Sequence, residues 1–297
     1  MAGLITRFAP SPTGPLHLGH AFSALIAWDL AQASGGTFLL RIEDIDTARC
    51  KPEWEAAIFD DLRWLGLDWP EPVMRQSDRA AAHAQALARL SAMGLTYRCI
   101  CTRSDIRAAL SAPQEGAPAH GPDGPVYPGT CRQAGHSDSD AAVRLDMAAA
   151  MARVGGLVSF HEAGPIYPGR HVFDTAQMVG QVGDIVLARR DIGSSYHLAV
   201  VVDDAVQGVS LVPRGADLFA ATAIHVLLQR LLDLPVPDYH HHRLIRDAAG
   251  QRLAKRDDAR ALSLFRAQGL AVDDIRALVG PGSGGVAAGL PAQHPAR

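Results

Sequence analysis

The stretch up to Ile42 constrains the fold more than any other part of this chain. Residues 4–8 read as a short buried strand, and a loop rich in Pro and Gly follows. Over 18–34, Phe22, Leu25, Ile26, Leu30 and Ala33 fall on one helical stripe, which Gly35-Gly36 ends. Residues 37–42 form a second apolar strand. Two strands joined by a helix run parallel, because the helix carries the chain back to its starting edge. The expected class is therefore α/β, built on a parallel sheet.

Further along, Pro52 opens a helix with Trp54, Ile58, Leu62 and Leu65 behind it, ending at Gly66. A third runs from a Ser77 cap to Gly94. Residues 97–102 resemble a strand carrying Cys99 and Cys101. Between 111 and 140 the composition changes. Pro113, Pro118, Pro122, Pro125 and Pro128 interleave with Gly, Ala and Ser, which suits neither a helix nor a central strand. This reads as an extended insertion. Residues 142–147, 157–161 and 185–190 then look like strands of a smaller, polar subdomain. Residues 199–205 and 217–232 return to core-like apolar patterning, with a strand near 209–212 that completes the first sheet. Helices are expected over 261–268 and 272–279, and the stretch from Gly280 reads as a flexible tail. The expected domains are a discontinuous core (1–98 and 196–245), an inserted subdomain (99–195), a segment with two bracing helices (246–280) and the tail (281–297).

With 297 residues, 48% hydrophobic and 20% charged, the chain has room for one large domain with an insertion, or two domains. A net charge of -3 gives no global pull toward nucleic acid, so any RNA contact needs a local basic face. The N-terminus lacks the apolar run of a signal peptide, and no stretch of about 18 apolar residues occurs. A cytoplasmic protein without a membrane partner is expected. Four cysteines then point to metal or free thiols rather than a disulfide framework.

The loop after the first strand carries the chemistry. Its sequence is Arg7-Phe8-Ala9-Pro10-Ser11-Pro12-Thr13-Gly14-Pro15-Leu16-His17-Leu18-Gly19-His20. His17 and His20 stand three apart, and residues at that spacing share one helix face. Both imidazoles are expected over the helix N-terminus, where free N–H groups and the positive dipole end attract phosphate. Gly19 leaves room for something flat against the backbone. That combination suits a nucleoside triphosphate. The Walker pattern is absent, so a P-loop is not the phosphate site.

His17-Leu18-Gly19-His20 resembles the His-x-Gly-His signature of the class I aminoacyl-tRNA synthetases. Within that class, residues 7–14 and Arg41-Ile42-Glu43-Asp44-Ile45-Asp46-Thr47 are similar to the glutamyl branch. The resemblance implies a Rossmann-like core that binds ATP, with Mg²⁺, through His17, Gly19, His20 and Lys255. His17, His20 and Lys255 would be catalytic. Lys255 lies in Arg252-Leu253-Ala254-Lys255-Arg256, the candidate for the mobile Lys-Met-Ser-Lys-Ser loop of the class; arginine replaces the first lysine and alanine the first serine. The resemblance also implies that Arg7, Ala9, Ser11, Glu43, Tyr196 and Arg214 hold L-glutamate. Glu43 would accept from the ammonium while Arg7 and Arg214 meet carboxylates. Residues 191–205 and 214–218 carry the same likeness. Without it, Glu43 and Arg214 read as an ordinary structural ion pair.

Cys99-Ile100-Cys101 puts two thiolates on one face of a strand, and Cys131 lies across the insertion with Tyr127 four residues before it. Three converging thiolates suit zinc. The glutamyl-queuosine synthetases carry such an arrangement, and this likeness implies a structural Zn²⁺ on Cys99, Cys101, Tyr127 and Cys131, with His120 or His136 as alternatives to Tyr127. Cys50 reads as an inert core thiol. His240-His241-His242 looks like a metal tract, but strand alternation splits it between faces, which favours a structural role.

About forty residues follow Lys255 in this sequence, and an architecture without the anticodon-reading helical domain of a full glutamyl-tRNA synthetase is expected. The glutamyl-queuosine likeness, over residues 4–265, implies a monomeric ligase. It would activate glutamate without RNA and pass it to queuosine at the wobble position of tRNA(Asp). Arg98, Arg103, Arg107, Arg132 and Arg170 are the candidate RNA contacts. A minimal glutamyl-tRNA synthetase that charges the acceptor end remains an alternative at this level. So does an inactive RNA-binding relative, which the departures at Arg252 and Ala254 would fit.

Overall fold

The two opening strands pair in parallel as expected. β1 (Ile5–Phe8) lies in register with β2 (Thr37–Ile42), Ile5 opposite Thr37 and Phe8 opposite Leu40, and α1 (Leu18–Ala33) joins them. This computed structural model describes residues 3–110, 120–246 and 261–280. Two backbone bonds close α1: Gly36 N–H donates to Ala31 O at 2.8 Å and Gly35 N–H to Gln32 O at 3.0 Å. Gly35 supplies the left-handed φ of 64° that this ending needs. A Cβ on Gly36 would lie 2.0 Å from Leu4 O, so only glycine lets the helix end pass the start of β1.

The buried face of α1 differs from the stripe read from periodicity. Leu18, Ala21, Ala24, Leu25, Ala27 and Ala31 are buried, so of the expected stripe only Leu25 is. The helix is apolar nearly all round, and periodicity cannot then choose the inward face. Alanines face inward because their small side chains let the helix approach the sheet closely. Phe22 and Trp28 pack at the flanks of the same core.

The chain divides into two compact units, one of Met1–Met74, Leu211–Asp217 and His240–Arg297, the other of Arg75–Ser210 and Leu218–Tyr239. This division differs from the expected one, which grouped 75–98 and 196–239 with the opening strands. The reason is a buried carboxylate. Asp203, on the helix Tyr196–Val206, accepts from Gln76 Nε2 (3.0 Å), Arg79 Nε (3.2 Å) and His83 Nε2 (3.1 Å). A buried charge so surrounded locks the helix Ala80–Ala92 to the helix Tyr196–Val206.

In the first unit the strand Leu211–Gly215 does not complete the first sheet as expected: its hydrogen-bonded neighbour is the strand Asp238–His242, while Arg7 Nη1 donates to Pro213 O at 3.3 Å. α2 (Pro52–Trp64) buries Ile58 and Leu62 in the core that also takes Leu262 and Phe265 of the helix Leu262–Ala267 and Ile275 and Val279 of Val272–Val279. Leu262 N–H donates to Leu16 O at 2.8 Å and Arg276 pairs with Asp29 at 2.9 Å, so the late helices brace this core.

In the second unit Ala142–Leu145 is the centre of an antiparallel sheet between Thr96–Cys99 and Val186–Ala188. The expected strand 142–147 stops early because Asp146 caps a helix, Met147–Arg153, its Oδ1 accepting from Ala149 N–H at 3.0 Å. Leu157–Glu162 pairs with Gly169–Asp174, a strand whose mixed polar sequence gave no signal. Ser77 is not a helix cap; it opens a short 3-10 turn before Ala80. The described part of the proline-rich stretch contains a minimal hairpin, His120–Gly121 against Gly124–Pro125. No helix among the described residues is long and apolar enough to cross a membrane.

Candidate active site

His17 sits just before α1, as its N-cap, rather than on the helix face that its spacing from His20 implied. Its Nδ1 accepts from Gly19 N–H at 3.1 Å, while His20 Nδ1 accepts from His17 N–H at 3.2 Å. The two rings lie 3.8 Å apart between centroids, tilted by 34°. The imidazoles thus replace the usual Ser-and-Glu capping box. With both Nδ1 atoms accepting, each neutral ring carries its proton on Nε2, so that nitrogen is a donor without the ring first being charged.

Gly19 is explained differently from the expectation. A Cβ there would lie 3.0 Å from His17 Cε1 and 3.1 Å from His17 Nδ1. The flat group resting against this backbone is the His17 ring itself, which is only 8% exposed.

The same unit holds most of the expected glutamate set. Ala9 and Ser11 lie in the loop after β1, Ala9 half-buried and Ser11 exposed. That loop is pinned from the side: Glu43 N–H donates to Pro10 O and Lys51 N–H to Pro12 O, each at 3.0 Å. The Glu43 carboxylate accepts from fully buried Arg41 at 3.1 Å, so its position is held by a charge-assisted bond. Arg7 and Arg214 are each 5% exposed. Arg214 Nε donates to His241 Nε2 at 3.1 Å, which fixes the guanidinium in place.

For His240-His241-His242 the sequence favoured a structural role, without showing that His241 contacts Arg214. The three do not converge. His242 Nε2 accepts from Ser23 Oγ at 2.9 Å and its Nδ1 donates to Arg243 O at 2.9 Å. Burial pushes the His242 pKa down to about 4, against an opposing pull from the Arg243 carbonyl, and the ring stays neutral. Arg41, which the sequence showed only as part of the segment that resembles the glutamyl branch, is the cation paired with Glu43. Lys255 and its basic loop lie outside the described residues.

Tyr196 belongs to the second unit, at the first position of a helix capped by Ser195. So does the cysteine cluster. The Sγ atoms of Cys99, Cys101 and Cys131 lie within 4.8 Å of one another. Cys101 is not on the strand with Cys99, because the strand ends at Cys99. The Tyr127 hydroxyl stands 3.4 Å from both Cys99 Sγ and Cys101 Sγ and accepts from Cys131 N–H at 2.9 Å. Sulfurs around a tetrahedral ion stand about 3.8 Å apart at ordinary Zn–S lengths, and Cys101 and Cys131 are 3.4 Å apart. This donor set fits a small tetrahedral cation. His136 pairs instead with Asp138 at 3.9 Å, and His120 is exposed on the hairpin. Burial raises the Cys101 thiol to about 11. At Cys131 burial is outweighed by hydrogen bonds from Tyr127, the Ile100 backbone and the other thiols, which bring it to about 6. Cys50 is half-buried rather than in the core.

Around the cluster Asp184, 2% exposed, accepts from Tyr97 Oη (2.5 Å), Arg132 Nη2 (2.7 Å) and Met147 N–H (2.9 Å), and the Arg144 guanidinium lies 3.9 Å over the Tyr127 ring. Of the candidate RNA contacts, Arg132 is therefore used within the fold. Arg98 donates to Asp138 O at 2.9 Å and Arg170 to Ser159 Oγ at 3.0 Å. Arg103 and Arg107 line an open cleft.

Comparison with known proteins agrees with this geometry. Residues 3–276 match the family model of class I tRNA synthetases (E and Q), catalytic domain. The Glutamyl-Q tRNA(Asp) synthetase of Rhodobacter capsulatus is 61% identical over 93% of this chain and 100% of its own length. That of Nocardia farcinica is 44% identical over 92% of this chain and 82% of its own. Among solved structures, a glutamate tRNA ligase from Elizabethkingia meningosepticum in complex with its amino acid superposes with a TM-score of 0.72 at 25% identity. It covers 93% of this chain, which spans 60% of that longer one. The chain thus belongs to the class I tRNA synthetases of the E and Q type, and within them to the glutamyl-Q tRNA(Asp) synthetases.

Proposed function

We propose that this chain activates L-glutamate with ATP in the absence of RNA and transfers it to queuosine at the wobble position of tRNA(Asp). The observation that carries the reading is one compact unit holding a histidine-capped helix N-terminus together with Arg7, Glu43 and Arg214. The glutamate α-carboxylate attacks the α-phosphorus in line and pyrophosphate leaves. Such a step depends on positioning and charge stabilisation rather than on a covalent enzyme intermediate. His17 and His20 donate from Nε2 to the phosphates, as does Lys255, while Mg²⁺ travels with ATP. Arg7 and Arg214 hold carboxylates, Glu43 takes the ammonium, and Ala9, Ser11 and Tyr196 complete the glutamate site. A hydroxyl of queuosine then attacks the activated carbonyl, forming the ester as the acyl–phosphate bond breaks, AMP leaves and the hydroxyl proton is lost.

In this reading residues 99–195 form the insertion that meets RNA, and Cys99, Cys101, Tyr127 and Cys131 hold a zinc ion that shapes it. Zinc supplies a rigid cross-link there and no chemistry. Protein purified without added zinc is expected to carry close to one equivalent by elemental analysis, and Cys99→Ser to lose it. Well under one equivalent in the unaltered protein removes the metal.

The decisive experiment maps labelled glutamate on tRNA(Asp) whose acceptor diol has been blocked with periodate while queuosine is protected. Continued transfer to queuosine-containing tRNA, with none to tRNA lacking queuosine, is expected. Labelling that disappears with the acceptor diol instead makes this an acceptor-end synthetase.

A further inference from the structure

Two buried histidines beside Tyr196 have no part in the proposed chemistry. His197 is 6% exposed and His225 is 2% exposed. His197 Nδ1 lies 3.0 Å from His225 Nε2, and His197 Nε2 lies 3.0 Å from both carboxylate oxygens of Asp123. Both rings flank Tyr196: His225 at 5.6 Å and 68°, His197 at 5.5 Å and 59° between centroids and planes. The outer member of the chain, Asp123, sits in the turn between His120–Gly121 and Gly124–Pro125, with its side chain 53% exposed. It also lines a cleft of about 650 Å³ that Arg103, Arg107 and Arg144 share.

Proton counting makes this chain directional. An ionised carboxylate only accepts, so His197 Nε2 carries a hydrogen. In the neutral ring Nδ1 must then accept, and His225 must donate from Nε2. The orientation of each ring is set by the one before it, and that of the first by the hairpin. Carboxylates that orient a histidine in this way tune the group the histidine touches.

We propose that Asp123, His197 and His225 are positioning residues, a hydrogen-bonded brace through which the inserted hairpin sets the Tyr196 ring for glutamate. The inference rests on the assignment of Tyr196 to the glutamate site. Asp123 reaches the brace from the surface, so it can be removed without opening the core.

The test is glutamate-dependent pyrophosphate exchange with the whole chain. Asp123→Ala is expected to raise the glutamate KM about five- to tenfold, the loss of one charge-assisted bond. The ATP KM, kcat and melting temperature should stay near the unaltered values. Asp123→Asn, whose carbonyl oxygen still accepts from His197, should restore most of the KM. Histidine ¹⁵N resonances of His225 should shift in Asp123→Ala, a readout independent of activity. If Asp123→Ala leaves the glutamate KM within twofold while Tyr196→Ala raises it more than tenfold, the brace is overturned and the Tyr196 assignment stands. If Tyr196→Ala leaves that KM unchanged, the assignment itself falls and the proposal with it. Lower melting with an unmoved KM, or unmoved His225 resonances, would reduce the three to ordinary structural residues and overturn it too.

Discussion

Alanine at position 19 is expected to slow adenylate formation about thirty- to a hundredfold while leaving the melting temperature nearly unchanged. The added Cβ would press on His17 at 3.0 and 3.1 Å, distances that only a movement of the ring can relieve. That ring is anchored by the bond from Gly19 N–H, so moving it breaks the cap and re-aims the Nε2–H donor together. Loss of a cap costs about 1 kcal/mol, and alanine returns about as much in helix propensity, so stability hardly registers the change. Rate does. A catalytic donor displaced by a fraction of an ångström forfeits on the order of 2–3 kcal/mol of transition-state stabilisation. His17→Ala should fall in the same range with a slightly lower melting temperature. Pyrophosphate exchange and a thermal melt on each variant suffice. A Gly19→Ala protein within twofold of full rate would show that the His17 ring does not act on the reacting phosphates.

The second large effect is expected at Arg214. Arg214→Ala should lower kcat/KM for glutamate at least a hundredfold, about 2.7 kcal/mol, with the ATP KM little changed. The guanidinium is 5% exposed and is held through Nε by His241. An ionised substrate carboxylate entering so dry a place without its cation is left unpaired. Arg214→Lys should not rescue, because one ammonium cannot bond His241 and grip a carboxylate in two places at once. His241→Phe should give an intermediate loss of about tenfold, since it strands the Nε–H while keeping the charge. Equal glutamate KM values for Arg214→Ala and the unaltered protein would remove this arginine from the site.

Much of the fold was written locally. The strand at Thr37–Ile42, the Gly35-Gly36 ending and the Pro52 helix start each rest on a few neighbouring residues, and each is found where expected. The strand Gly169–Asp174 was not legible, because its register comes from Leu157–Glu162 and its own composition is mixed. The inward face of α1 was misread for the opposite reason: too many apolar residues left no contrast to read.

By itself the sequence determined the chemistry on offer: two histidines beside a helix start, fixed cations for carboxylates, and thiols able to meet. Residue types and short spacings carry that much, since they act over one turn of backbone. Tertiary structure alone decided how those groups are held. It made His17 a cap with Gly19 as its seat, set His241 behind Arg214, and brought the Tyr127 hydroxyl to the sulfurs of Cys99 and Cys101 and the backbone of Cys131. Those contacts join residues far apart in the chain or depend on a ring's orientation. Which of many similar side chains meet is chosen by packing the whole unit at once, and no local pattern encodes it.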